Sequence, residues 1–229
     1  IKNPGKSLDP KWRDAYTAVL DVYLGENITE FNYEGKKYTP LQFAKMVKIN
    51  ADDYINITSF TQAPYYKDFI LNIPDNFSNG SFYNVPIDDL VEIIDHALAN
   101  GYTAEIDCDV SEKTFSAKDG VAVIPSNKLN NLKALHSIYP EMDVTQEYRQ
   151  QEFENFKTTD DHLMHITGSV KDQNGNKYYK VKNSWGTDEK RTKFDGYVYF
   201  SEAYVRLKTI SITLHKDGIP KNISSKIGI

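Results

Sequence analysis

Two strand-forming runs, "HLMHITGSV" (162–170) and "KYYKVKNSW" (177–185), flank the hexapeptide "KDQNGN". Its Asn174-Gly175 dipeptide suits a hairpin turn. No other feature limits the fold as strongly. It requires an antiparallel hairpin in which His162, at the start of one arm, returns toward Asn183, at the far end of the other. The exact pairing is not fixed by the pattern alone, because a one-residue slip moves every side chain to the opposite face.

The rest of the chain changes period part-way along. In "DPKWRDAYTAVLDVYLG" Asp9 is a candidate cap, Pro10 suits a first turn, and Trp12, Tyr16, Val19, Leu20 and Tyr23 recur at helical spacing before Gly25. "YTPLQFAKMVKIN" repeats the formula, with Thr39 as cap and Pro40 at the first position. "PIDDLVEIIDHALANG" predicts a third helix, with Asp88 and Asp89 at its positive end and Asn100-Gly101 as its stop. From Tyr102 onward the period is two: Ala104, Ile106, Cys108 and Val110 share one face of a strand, and Glu105, Asp107 and Asp109 the other. Residues 128–160 are polar, with "KLNNLKALHSIY" as one short helix. "GYVYFSE" and "VRLKTISITLH" read as further strands. Helices first and antiparallel strands after them make an α+β class.

Composition removes several functions. The formal charge of -5 comes with scattered Lys and Arg, so no basic footprint for nucleic acid is present. No apolar run approaches the roughly 20 residues that span a bilayer. The chain has one cysteine, which rules out an internal disulfide and a thiolate-rich zinc site and leaves the compartment undecided between cytoplasm and a periplasmic or secreted location. Neither a metal-ligand spacing nor a phosphate-cradling Gly loop occurs, so no metal and no cofactor is expected.

Chemistry concentrates at Asn183-Ser184-Trp185-Gly186. An imidazole held by a carboxamide oxygen can deprotonate a thiol and later protonate a leaving amine, and a Cys-His-Asn set is one variant of the nucleophilic triad. His162 and Asn183 fit the last two roles. The indole of Trp185 would shield their hydrogen bond from water, which strengthens it, and Gly186 would let the chain turn away. The structural alternative is a plain strand end, with Asn in a turn and Trp in the core.

"DDHLMHITGSVKDQNGNKYYKVKNSWG" resembles the His-to-Asn segment of the papain-like cysteine peptidases, in particular the bleomycin hydrolase or aminopeptidase C branch. "YTPLQFAKMVK", "YNVPIDDL" and "IDCDVSEKTFSAKDGVA" resemble upstream segments of that branch in the same order. The resemblance implies the C-terminal portion of a papain-like fold: a mainly helical, hook-like insertion over 1–84 followed by an antiparallel, β-barrel-like half over 85–229. It favours His162 over His165 as the base, since His162 is followed two residues on by Met164. It gives no role to His96, His136 or His215. It also implies thioester-mediated cleavage of residues from peptide N-termini, a ring-like homo-oligomer built on the helical insertion, and a C-terminal arm that would bring Ile229 to the substrate cleft, although "KDGIPKNISSKIGI" is shorter than the family arm and diverges from it.

The nucleophile is missing from this picture. Cys108 lies in the apolar phase of its strand between Asp107 and Asp109, and neighbouring negative charge suppresses a thiolate. The resembling family carries its catalytic Cys far upstream, in a Cys-Trp segment that this chain lacks. The expected partner is therefore an N-terminal fragment of the same precursor, cut before Ile1 and still associated; the alternative is an inactive fragment or pseudo-enzyme serving as an interaction module.

Overall fold

The computed structural model describes residues 8–229. The chain divides into two compact units, one running to Ala51 and one from Asp52 to Ile229. The first contains helix α1 (Trp12–Leu24), strands β1 (Phe31–Tyr33) and β2 (Lys36–Tyr38), and helix α2 (Pro40–Met46). α1 starts later than its sequence suggests: the Asp9 carboxylate accepts the Lys11 N–H at 2.8 Å, forming a turn ahead of the helix rather than a cap on it. The α2 start follows the reading, with a capping box in which Thr39 Oγ1 accepts the Gln42 N–H and Gln42 Oε1 accepts the Thr39 N–H. A hairpin not read from the sequence lies between the helices. Glu34 and Gly35 take φ of 47° and 74° at its turn, and Phe43 of α2 packs edge-on against Phe31, Tyr33 and Tyr38.

The second unit is built on one ten-stranded sheet. Its elements in chain order are β3 (Tyr54–Thr58), β4 (Asp68–Ile70), β5 (Ser81–Asn84), α3 (Ile87–Ala99), β6 (Ala104–Cys108), β7 (Phe115–Ser116), β8 (Val121–Ala122), α4 (Asn131–Ala134), α5 (Gln146–Glu154), β9 (His162–Lys171), β10 (Lys177–Lys182), β11 (Tyr197–Ser201), α6 (Glu202–Lys208), β12 (Thr209–His215) and α7 (Lys221–Ile227). The strands lie in the order β4-β5-β3-β12-β6-β9-β10-β11-β8-β7. Pairing is antiparallel except for β3 with β5 and β8 with β11. Residues 54–84 supply three strands of this sheet, and the compact units divide at Ala51/Asp52, before the 84/85 boundary that the family resemblance implies.

Two further elements differ from the sequence reading. "VRLK" is helical and only "TISITLH" is strand: Ser201 Oγ accepts the Tyr204 N–H to cap α6, and Glu202 pairs with Arg206 one turn on. α5 carries no apolar stripe, because the side chains it buries are Arg149 and Gln150. Arg149 Nε donates to Ser59 O at 2.8 Å and Nη1 to Arg206 O at 2.9 Å, while its guanidinium covers Phe60.

The alternation of β6 puts Ala104, Ile106 and Cys108 into the main core, where Met164, Ile166, Tyr179 and Val181 of the hairpin meet Leu90, Ile93 and Ile94 of α3. A second cluster, Phe60, Leu71, Ile73, Phe82 and Ile210, is separate from it.

Candidate active site

His162 opens β9 opposite Cys108, and the pairs Leu163 with Asp107 and Met164 with Ile106 continue the ladder. On its other side β9 pairs with β10 through an irregular register, with Lys180 opposite Gly168 but Val181 opposite Ile166. Thr167 is the extra residue of a bulge, and its hydroxyl donates to Lys180 O at 3.1 Å. Carrying the shifted register beyond Lys182 and His165 sets Asn183 across from Met164, on the face that His162 also occupies. Without the bulge Asn183 would oppose His165 and point away from His162, since directly opposed residues share a face.

The two side chains meet. His162 Nε2 lies 2.9 Å from Asn183 Oδ1. A carboxamide oxygen only accepts, so Nε2 carries the proton and the neutral ring keeps its lone pair on Nδ1. Among the described residues nothing hydrogen-bonds Nδ1. The same Oδ1 accepts the Ser184 N–H at 2.7 Å, and the Asn183 N–H donates to Gly196 O at 2.9 Å. Asn183 is buried, so these bonds hold a fixed acceptor in a low-dielectric setting. The Trp185 ring stands 5.0 Å from the His162 ring at 37°, and Phe115 meets Trp185 edge-on. Trp185 itself is 40% exposed, which makes it a cover over the pair rather than a core residue.

Some supporting residues were not identified from the sequence. Gly196 has φ of 78°, and a Cβ there would lie 2.5 Å from Gly186 O. Only glycine allows this close crossing of the two segments that anchors Asn183. The legible signal was a Gly placed directly before the strand "YVYFS". A second support is Lys208, fully buried, whose ammonium donates to Lys157 O at 2.6 Å and Glu112 Oε1 at 2.8 Å and stands 3.6 Å from Asp109 Oδ2. Asp109 in turn accepts the N–H groups of Ser111 and Thr159, and Asp161 accepts that of Val110. These bonds tie the segment leading into His162 to the end of β6. Nothing local in the sequence links Lys208 to residues some 50 and 100 positions upstream.

The remaining histidines fall elsewhere. His165 lies on the opposite face of β9, with Nε2 2.7 Å from Thr103 Oγ1. His96 bonds Gly218 O, His136 lies 3.7 Å from Asp119, and His215 stacks on Tyr102. Cys108 faces His162 across the ladder, yet it is fully buried in the core. Burial first, then the carboxylates of Asp107, Asp161, Asp109 and Glu105, push its thiol well up, so it stays protonated and inert. Ile229 follows the left-handed Gly228 at the end of α7, with its N–H on Ser224 O. α7 is held to α3 and its surroundings through Asn222 with Glu92 and Lys226 with Asp89 and Tyr66, and none of these contacts involves His162, Asn183 or Trp185. Among the described residues no group of three or more His, Cys, Asp or Glu side chains could hold a metal ion.

Hairpin, bulge and the sheet around them make a papain-like fold, with the imidazole–carboxamide pair at the start of β9. The chain belongs to the Peptidase C1-like family, whose profile matches residues 26–228. It is 24% identical over 225 residues to Aminopeptidase G of Lactobacillus delbrueckii subsp. lactis, covering 97% of this chain and 46% of that protein. Among solved structures it is similar to PepW from Lactobacillus rhamnosis HN001 (DR20), with a TM-score of 0.69 and 20% identity over 94% of this chain and 49% of that one. The chain thus spans about half the length of these relatives.

Proposed function

We propose that this chain supplies the base and its orienting amide to a cysteine peptidase of aminopeptidase type, acting with a Cys borne on an N-terminal segment outside these residues. The observation that carries the reading is the 2.9 Å contact between His162 Nε2 and Asn183 Oδ1, which leaves Nδ1 as the free base. In this mechanism Nδ1 takes the proton of the thiol as sulfur attacks the substrate carbonyl. The imidazolium then gives that proton to the departing amine, leaving a thioester, and the neutral ring so restored takes a proton from the water that hydrolyses the thioester. Asn183 holds the ring in the productive tautomer without charge, and Trp185 keeps water from their bond. The only cysteine of the chain is buried and held protonated, which favours a sulfur supplied from outside.

The partner is accordingly a Cys-bearing N-terminal chain of the same precursor, with peptides as substrates and a ring of copies as the assembly. The exposed apolar side chains Trp12, Tyr16, Val19 and Tyr23 along α1 agree with an assembly surface in the first unit. Turnover of aminoacyl fluorogenic substrates by the reunited protein tests the reading. His162→Ala is expected to lower kcat by at least about 100-fold, and unchanged turnover by that variant would remove the proposal. Intact mass spectrometry of the purified material decides the alternative: a single species with neither a second chain nor turnover would identify an inactive interaction module.

A further inference from the structure

Between the loop that leaves β6, the α4 segment and the end of α5 lies a cavity of about 970 Å³. Met142, Tyr148 and Leu207 form part of its wall, and Leu129, Leu132 and Phe156 stand at it 87%, 71% and 82% exposed. Three large apolar side chains left in water around one cavity mark an interaction surface, whereas scattered single ones would not. Phe156 adds a backbone argument. It follows Asn155, the cap of α5, with φ of 55°, a left-handed position where glycine is favoured. A strained phenylalanine whose ring is left in solvent points to a use for the ring. Four lysines, Lys113, Lys128, Lys133 and Lys157, share the lining, and among the described residues none of their ammonium groups takes part in an ion pair. Of the two acids beside them, Glu112 is held by Lys208 at 2.8 Å, which leaves Glu152. In a chain of formal charge -5 this is a local excess of positive charge around apolar walls. Its complement is a peptide with acidic side chains set among apolar ones; a phosphate backbone would gain nothing from the leucines.

We propose that this cavity is an exosite for the peptide substrate, taking an acidic, apolar stretch on the departing-amine side of the scissile bond. The inference rests on the peptidase reading above. Two connections place the cavity beside Trp185 and His162. Thr114, in its wall, precedes Phe115, whose ring meets that of Trp185 edge-on. Glu112 and Lys157, also in the wall, both bond Lys208, the cation in the network that ties the segment leading into His162 to the end of β6. An aminopeptidase engages its substrate at the free end, so the rest of the peptide lies on the departing-amine side. The cavity holds it there: Leu129, Leu132 and Phe156 seat apolar side chains while the lysines meet carboxylates. These contacts are remote from the reacting atoms and equal in ground and transition states, so they lower KM for acidic peptides and leave kcat alone. Because the lysines are exposed, the charge part of the affinity falls with ionic strength.

Fluorescence anisotropy of the chain with an Nα-acetylated hexapeptide of alternating Glu and Leu, carrying a C-terminal fluorophore, is the test; the blocked end keeps the peptide from being held as an aminopeptidase substrate. The controls carry Lys in place of Glu or Ser in place of Leu. The Glu-Leu peptide is expected to bind at least about tenfold more tightly than either control, and more weakly as salt is raised. Lys128→Glu with Lys133→Glu, and Leu129→Ser with Leu132→Ser, alter exposed positions and leave the fold intact. Each pair is expected to weaken binding at least about tenfold. Equal binding of the Lys control, or unchanged affinity in either double variant, would overturn the proposal. In the reunited enzyme, Lys128→Glu with Lys133→Glu is expected to raise KM at least about fivefold for free-amine peptides that end in the Glu-Leu stretch, with kcat and the KM of aminoacyl fluorogenic substrates unchanged. An equal effect on both substrates would also overturn it. So would weakened association of the two chains in Leu129→Ser with Leu132→Ser, which would assign the cavity to the N-terminal segment. His162→Ala is expected to bind the peptide normally while losing turnover, so failure of the peptidase reading and failure of the exosite give different results.

Discussion

Asp107→Asn has a consequence for the folded state that needs no ligand and no partner chain. Burial is the main cause that lifts the Asp107 carboxyl from 3.8 to about 8. Between those two values the folded protein holds the proton more tightly than the unfolded chain does. The stability associated with this group is therefore fully present below pH 3.8 and is lost progressively as pH rises to about 8, above which the loss is complete. A shift of a little over four units at about 1.4 kcal/mol each sets a ceiling of about 6 kcal/mol. The carboxylate borders a cavity of about 410 Å³, which is roomy enough for water, and hydration of the ionised form lowers the expected loss to about 2–3 kcal/mol.

Asn fills the same space without a proton to lose. Urea unfolding of both proteins at about pH 5 and about pH 8.5, followed by tryptophan fluorescence and fitted by linear extrapolation, isolates the term as a double difference, because every other titrating group is common to the two proteins. The parent is expected to lose about 1 kcal/mol more than the variant across this interval, the rest of the about 2–3 kcal/mol being lost between pH 3.8 and about 5, with the variant the more stable of the two at the higher pH. Parallel pH dependences, or a variant weaker than the parent at about pH 8.5, would mean that Asp107 is solvated or paired in the folded chain.

Three further substitutions probe the surroundings of His162 and Asn183. Gly196→Ala forces a Cβ to within 2.5 Å of Gly186 O at a φ of 78°; a cost of about 1–3 kcal/mol in unfolding free energy is expected, together with reduced turnover in the reunited enzyme. Trp185→Ala uncovers the bond between His162 and Asn183, so kcat is expected to fall about tenfold with little change in stability, the indole being partly exposed; equal kcat in the two proteins would deny it a shielding role. Lys208→Met removes the cation between Glu112 and Asp109 and is expected to cost about 3–5 kcal/mol, because two acids are left without their buried partner, a loss that thermal unfolding would reveal.

How much of this was legible in the sequence depended on whether the signal was local. The hairpin turn carrying Asn174-Gly175, the N-cap at Thr39 and the apolar stripe of α3 each occupy one stretch of chain, and each appears where the pattern puts it. The helix α5 was invisible because its buried face is polar: Arg149 and Gln150 are satisfied by backbone and side chains some 90 residues earlier, so no apolar period marks it. α6 was hidden in a run of β-tolerant residues, and its cap at Ser201 became decisive only once β11 had delivered that serine to a strand end. The site divides in the same way. His162, Asn183 and Trp185 follow from a short motif and the hairpin that frames it, but their meeting depends on the single extra residue at Thr167, which no composition or spacing announces. That bulge is the step at which local pattern becomes geometry. Deleting Thr167 would restore an even register and carry Asn183 to the His165 face, so the deletion should abolish turnover in the reunited enzyme while the β9–β10 hairpin persists, and retained turnover would show that something other than register brings the imidazole and the amide together.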